Sequence, residues 1–270
     1  MSPIGVFDSG VGGLSVLAAL RAELPRERFV YFADTAFAPY GERGDAYVIE
    51  RSRKVTGQLV AEHGIKALVV ACNTATTAAI HMLRAEHPVL PIVGLEPALK
   101  PAVAASRTGH ISVMATRGTL ASAKYAALRD SFAGPASVRA VPCDGLVKAI
   151  EGFDTEAIAA LCARYMAEAG PFGNASGEVD TVVLGCTHYP LVKNELQRHA
   201  PPGLRFIDTG AAVAQQTRRV LASLDRLADS GDGGLLLQGS GELAVLEAAA
   251  AHWLPQPRQN GTTATAANVA

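Results

Sequence analysis

Short runs of β-branched and aromatic residues, each two to five long, recur along the chain and alternate with longer stretches of helical periodicity. The apolar runs predict strands at 4–7, 28–32, 67–70, 92–93, 111–115, 138–141, 181–184, 204–207 and 235–238. Helical patterns at 46–62, 76–86, 155–169 and 211–227 fall between them. Such alternation predicts an α/β fold in which mostly parallel sheets are flanked by helices. In open sheets of this kind ligands bind beyond the carboxyl ends of the strands, so those ends are where chemistry is expected.

Four predicted strand ends carry polar clusters. The first leads into Asp8, Ser9 and Gly10, and the third into Cys72, Asn73 and Thr74. Strand 111–115 leads into Thr116, Gly118 and Thr119, and strand 181–184 into Cys186, Thr187 and His188. Asp8 and Cys72 are 64 residues apart, Thr116 and Cys186 70 apart. Two clusters followed by two more at similar spacing predict two similar lobes with a site in the cleft between them. The first lobe is expected to comprise residues 1–96 and 210–270, the second 97–209. Residues 94–100 are the candidate crossover, and 255–270, which lack apolar periodicity, a mobile tail.

Composition narrows the function. Hydrophobic residues make up 49% and charged residues 18%, which is the balance of a well-packed globular protein. Lys plus Arg total 24 against 25 acids, so nothing points to nucleic acid. No apolar run is long enough to span a membrane, and the first residues read as a strand and not as a signal peptide; the cytoplasm is the expected location. The four cysteines, Cys72, Cys143, Cys162 and Cys186, show no Cys-x-x-Cys spacing, and zinc motifs are absent. In the cytoplasm they should be reduced, and a cysteine is by default a small buried apolar residue.

Two of the four have informative neighbours. Cys72 in ACNTAT stands between a strand and a helix start, where the helix terminus is expected to lower a thiol pKa toward neutrality. GCTHYP repeats that logic at Cys186, with Pro190 suited to the first turn of the next helix. Two strand-end thiols facing one another would let one remove a Cα proton while the other delivers a proton to the opposite face, which is what inversion of a stereocentre requires. A nucleophilic hydrolase or lyase would leave the second thiol unused. In DSGVGG the glycines suit a small carboxylate at a helix start; Ser15 stands where a dinucleotide fingerprint needs glycine. Asp8 equally reads as a helix cap, His188 as a hydrogen-bonded structural histidine, and Tyr40 as a buried aromatic.

The strings FDSGVGGLSV, ADTAFAPYG, ACNTAT and LGCTHYPL, in this order between residues 4 and 208, resemble those of glutamate racemases in the aspartate/glutamate racemase superfamily. The resemblance implies two similar α/β lobes, no pyridoxal phosphate or other cofactor, no metal, and a homodimer. It implies interconversion of L- and D-glutamate for peptidoglycan synthesis, with Cys72 serving the D-enantiomer and Cys186 the L-enantiomer. Asp8, His188 and Glu151, the last in LVKAIEG, are implied as their polar assistants. Substrate contacts are implied for Asp8, Ser9, Tyr40, Gly41, Asn73, Thr74, Thr116, Thr119, Thr187 and His188. In ADTAFAPYG the residues around Asp34 and Phe37 depart from the usual glycine and basic residues. A racemase of aspartate or another acidic amino acid, and a non-catalytic regulatory protein on the same fold, remain as alternatives.

Overall fold

The structure, a computed structural model, describes residues 2–95, 98–132, 134 and 136–254; residues 96–97, within the expected crossover, and the expected tail at 255–270 lie outside them. The described strands are β1 (Ile4–Asp8), β2 (Phe29–Ala33), β3 (Ala67–Val70), β4 (Ile92–Gly94), β5 (His110–Ala115), β6 (Ser137–Pro142), β7 (Thr181–Leu184), β8 (Arg205–Ile207) and β9 (Leu235–Gly239). The α-helices are α1 (Leu14–Glu23), α2 (Asp45–His63), α3 (Asn73–Glu86), α4 (Leu99–Ala105), α5 (Arg117–Ala121), α6 (Ala123–Asp130), α7 (Leu146–Glu151), α8 (Thr155–Ala169), α9 (Lys193–Arg198), α10 (Gly210–Ser223) and α11 (Leu243–Trp253).

Two parallel sheets form, ordered β4-β3-β1-β2-β9 and β6-β5-β7-β8. Written from the other edge, the second is β8-β7-β5-β6, which repeats the first four positions of the first sheet. The twofold repetition of clusters in the sequence thus corresponds to two similar lobes. In each lobe the strand order reverses beside the first strand, and the crevice at such a reversal is where open sheets bind ligands.

Alternation along the strands builds a core on each face. Ile4, Val6, Tyr31, Ala67 and Val69 point toward α1, α10 and α11, while Phe7, Phe32, Leu68 and Val70 point toward α2 and α3. In the second lobe Met114, Val182 and Leu184 face α7 and α8, and Ile111, Val113 and Val183 face α4. Local signals set the helix ends. Gly64, at φ +53°, terminates α2 in the left-handed region, with its N–H on the Val60 carbonyl. Asp154 caps α8 by accepting from Ala157 N at 3.0 Å.

The predicted helix 211–227 is shorter than expected and ends at Ser223. Asp225 adopts φ +53°, and Arg226 N donates back to the Leu221 carbonyl at 2.9 Å, closing the helix four residues early. At the far end of the chain Trp253 packs against the cores of both lobes and stacks on Phe153.

Candidate active site

Asp8 ends β1, and its carboxylate turns back onto the glycine loop. Oδ2 accepts from Gly13 N at 2.6 Å and Oδ1 from Ser9 N at 2.8 Å. Of the glycine amides expected to receive a ligand carboxylate, that of Gly13, the N-cap residue of α1, is therefore taken by Asp8 itself. The glycines serve a different purpose. A Cβ on Gly12 would lie 2.4 Å from His188 Nδ1 and 2.6 Å from Thr187 Oγ1, and one on Gly10 would lie 2.5 Å from Glu151 Oε1. Their bare backbone admits side chains of the opposite lobe.

Cys72 is the N-cap of α3: its Sγ accepts from Ala75 N at 3.4 Å and lies 3.5 Å from Ser9 Oγ, which is itself 3.5 Å from Asp8 Oδ1. The expected lowering of this thiol does not occur. Burial and the Asp8 carboxylate push Cys72 up to about 12, outweighing the hydrogen bonds from Ser9 and Ala75. Burial likewise pushes Asp8 up to about 6 against the lowering effect of His188. Two anion-forming groups are buried together, and the Asp8 carboxylate makes the thiol harder to ionise.

The second thiol has a different environment. Cys186 leads into a 3-10 turn, Tyr189–Val192, with Pro190 in its first positions, and α9 begins only at Lys193. It therefore lacks the direct helix start expected from the sequence. What it has is His188, whose Nδ1 lies 3.7 Å from Cys186 Sγ and whose Nε2 lies 3.0 Å from Glu151 Oε1. Burial opposes charging the imidazole, but the hydrogen bonds to Cys186 and Glu151 prevail and push His188 up to about 10. Partial burial raises Glu151, yet its hydrogen bond to His188 holds it below the usual carboxylate range. A positive charge thus sits within reach of the Cys186 sulfur.

The clusters meet across the cleft. Asn73, next to Cys72, donates from Nδ2 to the Gly185 carbonyl, next to Cys186, at 3.3 Å. Its Oδ1 is buried among the described residues with no hydrogen-bond partner, an acceptor awaiting a donor. Thr74 and Gly41 approach each other, a Gly41 Cβ lying 3.9 Å from Thr74 Oγ1, and a Gly118 Cβ would lie 3.2 Å from the Gly41 carbonyl. The Tyr40–Gly41 turn thereby spans from the first lobe to α5. Thr116 and Thr119 are half-buried beside that contact, but their hydroxyls are engaged locally. Thr116 caps α5, and the two Oγ1 atoms are 2.9 Å apart.

The Tyr40 ring is buried against Phe7 and Tyr47, and its hydroxyl donates to Asp34 Oδ2 at 2.5 Å. Asp34 also receives a two-pronged bond from Arg51, Nε to Oδ2 at 2.9 Å and Nη2 to Oδ1 at 2.8 Å, and that guanidinium lies 3.4 Å above the Phe37 ring. The sequence reading missed this buried network. Its signal was a cation on the apolar face of α2, three residues after Val48 and four before Val55.

The four cysteines are free thiols. Cys143 and Cys162 are buried in the second-lobe core. Surface cavities of about 380 Å³ beside Phe172 and about 590 Å³ beside Arg26 include none of the residues described above. Among the described residues no helix is long and apolar enough to cross a membrane.

Residues 12–217 match the model of the Asp/Glu/hydantoin racemase family. The chain belongs to that family. It is accordingly an isomerase. It is 51% identical over 241 residues to a glutamate racemase of Stutzerimonas stutzeri, covering 89% of each chain. It is 50% identical over 227 residues to one from Pseudomonas aeruginosa, covering 83% of each. Among solved structures, glutamate racemase isoform RacE1 of Bacillus anthracis superposes with a TM-score of 0.81 at 29% identity, covering 93% of both chains. The Escherichia coli glutamate racemase, in complex with L-glutamate and an activator, UDP-MurNAc-ala, gives 0.80 at 31% identity, covering 94% of this chain and 96% of that one.

Proposed function

We propose that this racemase interconverts L- and D-glutamate by a two-base mechanism in which Cys72 and Cys186 work on opposite faces of the substrate Cα. The observation that carries the reading is the Asn73–Gly185 hydrogen bond, which joins the two cysteine-bearing strand ends across the cleft. The relatives at about 50% identity, both glutamate racemases, support glutamate over aspartate.

The residues divide the work. From L-glutamate, the Cys186 thiolate takes the Cα proton, the electron pair passes into the carbanion and its carboxylate, and the Cys72 thiol gives its proton to the other face. The reverse direction exchanges the roles. His188 lies between Cys186 and Glu151 and supplies the local positive charge. Ser9 bridges Asp8 to Cys72 through contacts of 3.5 Å on each side, a hydrogen-bonded path along which a proton can pass between the thiol and the carboxyl. The substrate ammonium meets the unpartnered Asn73 Oδ1 and the Asp8 carboxylate, and its charge offsets the desolvation that keeps Cys72 protonated. Thr74, Thr187 and the Gly41 backbone line the same cleft and complete the substrate contacts, with Thr116 and Thr119 shaping its second-lobe wall. The product serves peptidoglycan precursor synthesis in the cytoplasm, and the working unit is a homodimer.

The test is chiral analysis of L-glutamate incubated with purified protein and no added cofactor. Cys72→Ala and Cys186→Ala should each abolish interconversion, and in D₂O the product should carry deuterium at Cα. Full racemisation by either single variant refutes the two-base mechanism.

A further inference from the structure

The mechanism leaves one inter-lobe contact unused. Ser15, the second residue of α1, is half-buried, and its Oγ lies 2.6 Å from the Thr187 carbonyl of the opposite lobe and 2.9 Å from the Gly12 carbonyl of its own. A hydroxyl has one proton to donate, and the shorter contact is the one across the cleft. The other carbonyl bracketing Cys186, that of Gly185, is held by Asn73. The backbone on both sides of Cys186 is therefore held by first-lobe side chains, although Cys186 itself belongs to the second lobe. The bare Gly12 backbone of the first lobe lies directly against the Thr187 and His188 side chains of the second, because Gly12 has no Cβ to keep them away.

We infer that Ser15 is a positioning residue for the racemisation: by holding the Thr187 carbonyl it fixes the Cys186 sulfur in register with the first lobe, which carries Cys72. The inference rests on the two-thiol reading above. Ser15 does not contact the reacting carbon; it acts through the peptide that follows Cys186. Errors of about 1 Å in the position of a reacting group cost about a hundredfold in rate, whereas loss of one hydrogen bond to a rigid backbone costs only about fivefold in a folding equilibrium. Activity is thus expected to respond more strongly than stability.

The experiment compares wild type, Ser15→Ala and Ser15→Thr, with protiated and Cα-deuterated glutamate in each direction. Ser15→Ala should lower kcat by about tenfold or more with KM little changed, and Ser15→Thr, which keeps the hydroxyl, should recover most of it. The discriminating measurement is the primary isotope effect. When Cys186 is misplaced, its proton transfer becomes the slower of the two. The isotope effect then rises in the direction in which Cys186 removes the proton and falls in the direction in which Cys72 does. A merely structural role moves both effects together or neither. Unequal movement with rescue by threonine supports the inference. Unchanged kcat in Ser15→Ala, or isotope effects that move together or not at all, overturns it. If wild type does not racemise glutamate at all, the two-thiol reading fails first, and the inference with it.

Discussion

Arg51→Met isolates the energetics of the network beneath the Tyr40–Gly41 turn. The substitution preserves much of the aliphatic stem over Phe37 but removes both guanidinium bonds to Asp34, at 2.9 and 2.8 Å. What remains is a carboxylate with no exposed side-chain surface, served only by the Tyr40 hydroxyl at 2.5 Å. Removing one partner of a buried ion pair costs about 3–5 kcal/mol, equivalent to about 10 °C in Tm for a chain of this length. Asp34→Leu combined with Arg51→Met removes the stranded charge as well. Apolar replacement of a whole buried pair is close to neutral, and the orphaned Tyr40 hydroxyl adds a cost of about 1 kcal/mol. The double variant should therefore be more stable than Arg51→Met alone by about 2–4 kcal/mol. Equilibrium urea unfolding followed by circular dichroism measures wild type and both variants. A double variant no more stable than Arg51→Met, or an Arg51→Met cost below about 1 kcal/mol, refutes the claim that Asp34 depends on Arg51 for its charge.

Other substitutions probe the site directly. Glu151→Gln removes the carboxylate that helps hold His188 up at about 10, so the alkaline limb of the kcat profile should move to lower pH; an unmoved limb refutes the link. Gly12→Ala brings a methyl to 2.4 Å from His188 Nδ1 and should abolish most activity while destabilising the fold by about 1–3 kcal/mol; an active, equally stable variant contradicts the close approach. Asp8 has its folded pKa raised from 3.8 to about 6, so its contribution to stability is complete below the lower value and is lost as pH rises through the upper one. Asp8→Leu should flatten that fall by roughly 3 kcal/mol relative to wild type, measured by unfolding across this window, and parallel profiles would count against it.

Local patterning reached far into this structure. Each predicted strand has its counterpart among the described residues because β-branched runs flanked by turn residues are decided locally. The four polar clusters were legible as strand ends, and their spacing as a repeat. What stayed hidden depends on docking between distant segments. The height of the Cys72 pKa follows from burial beside Asp8, and a helix-start argument alone predicts the wrong direction. The Asp34–Arg51 partnership joins a strand end to the buried face of α2, and no local rule pairs them. Ser15 was visible only as a missing glycine. Its partner, the Thr187 carbonyl, is 172 residues away in sequence.

The strand order of the two sheets has a consequence for how the chain is made. β5, β6, β7 and β8 are consecutive in sequence, so every strand of the second sheet has been synthesised by Ile207. The first sheet receives its last strand, β9, only at Leu235–Gly239, and α1 gains its neighbour α10 only after residue 209. The half that is started first is thus finished last. Until β9 is made, β2 lacks its partner on that side, and an unpaired strand edge in a nascent chain invites aggregation.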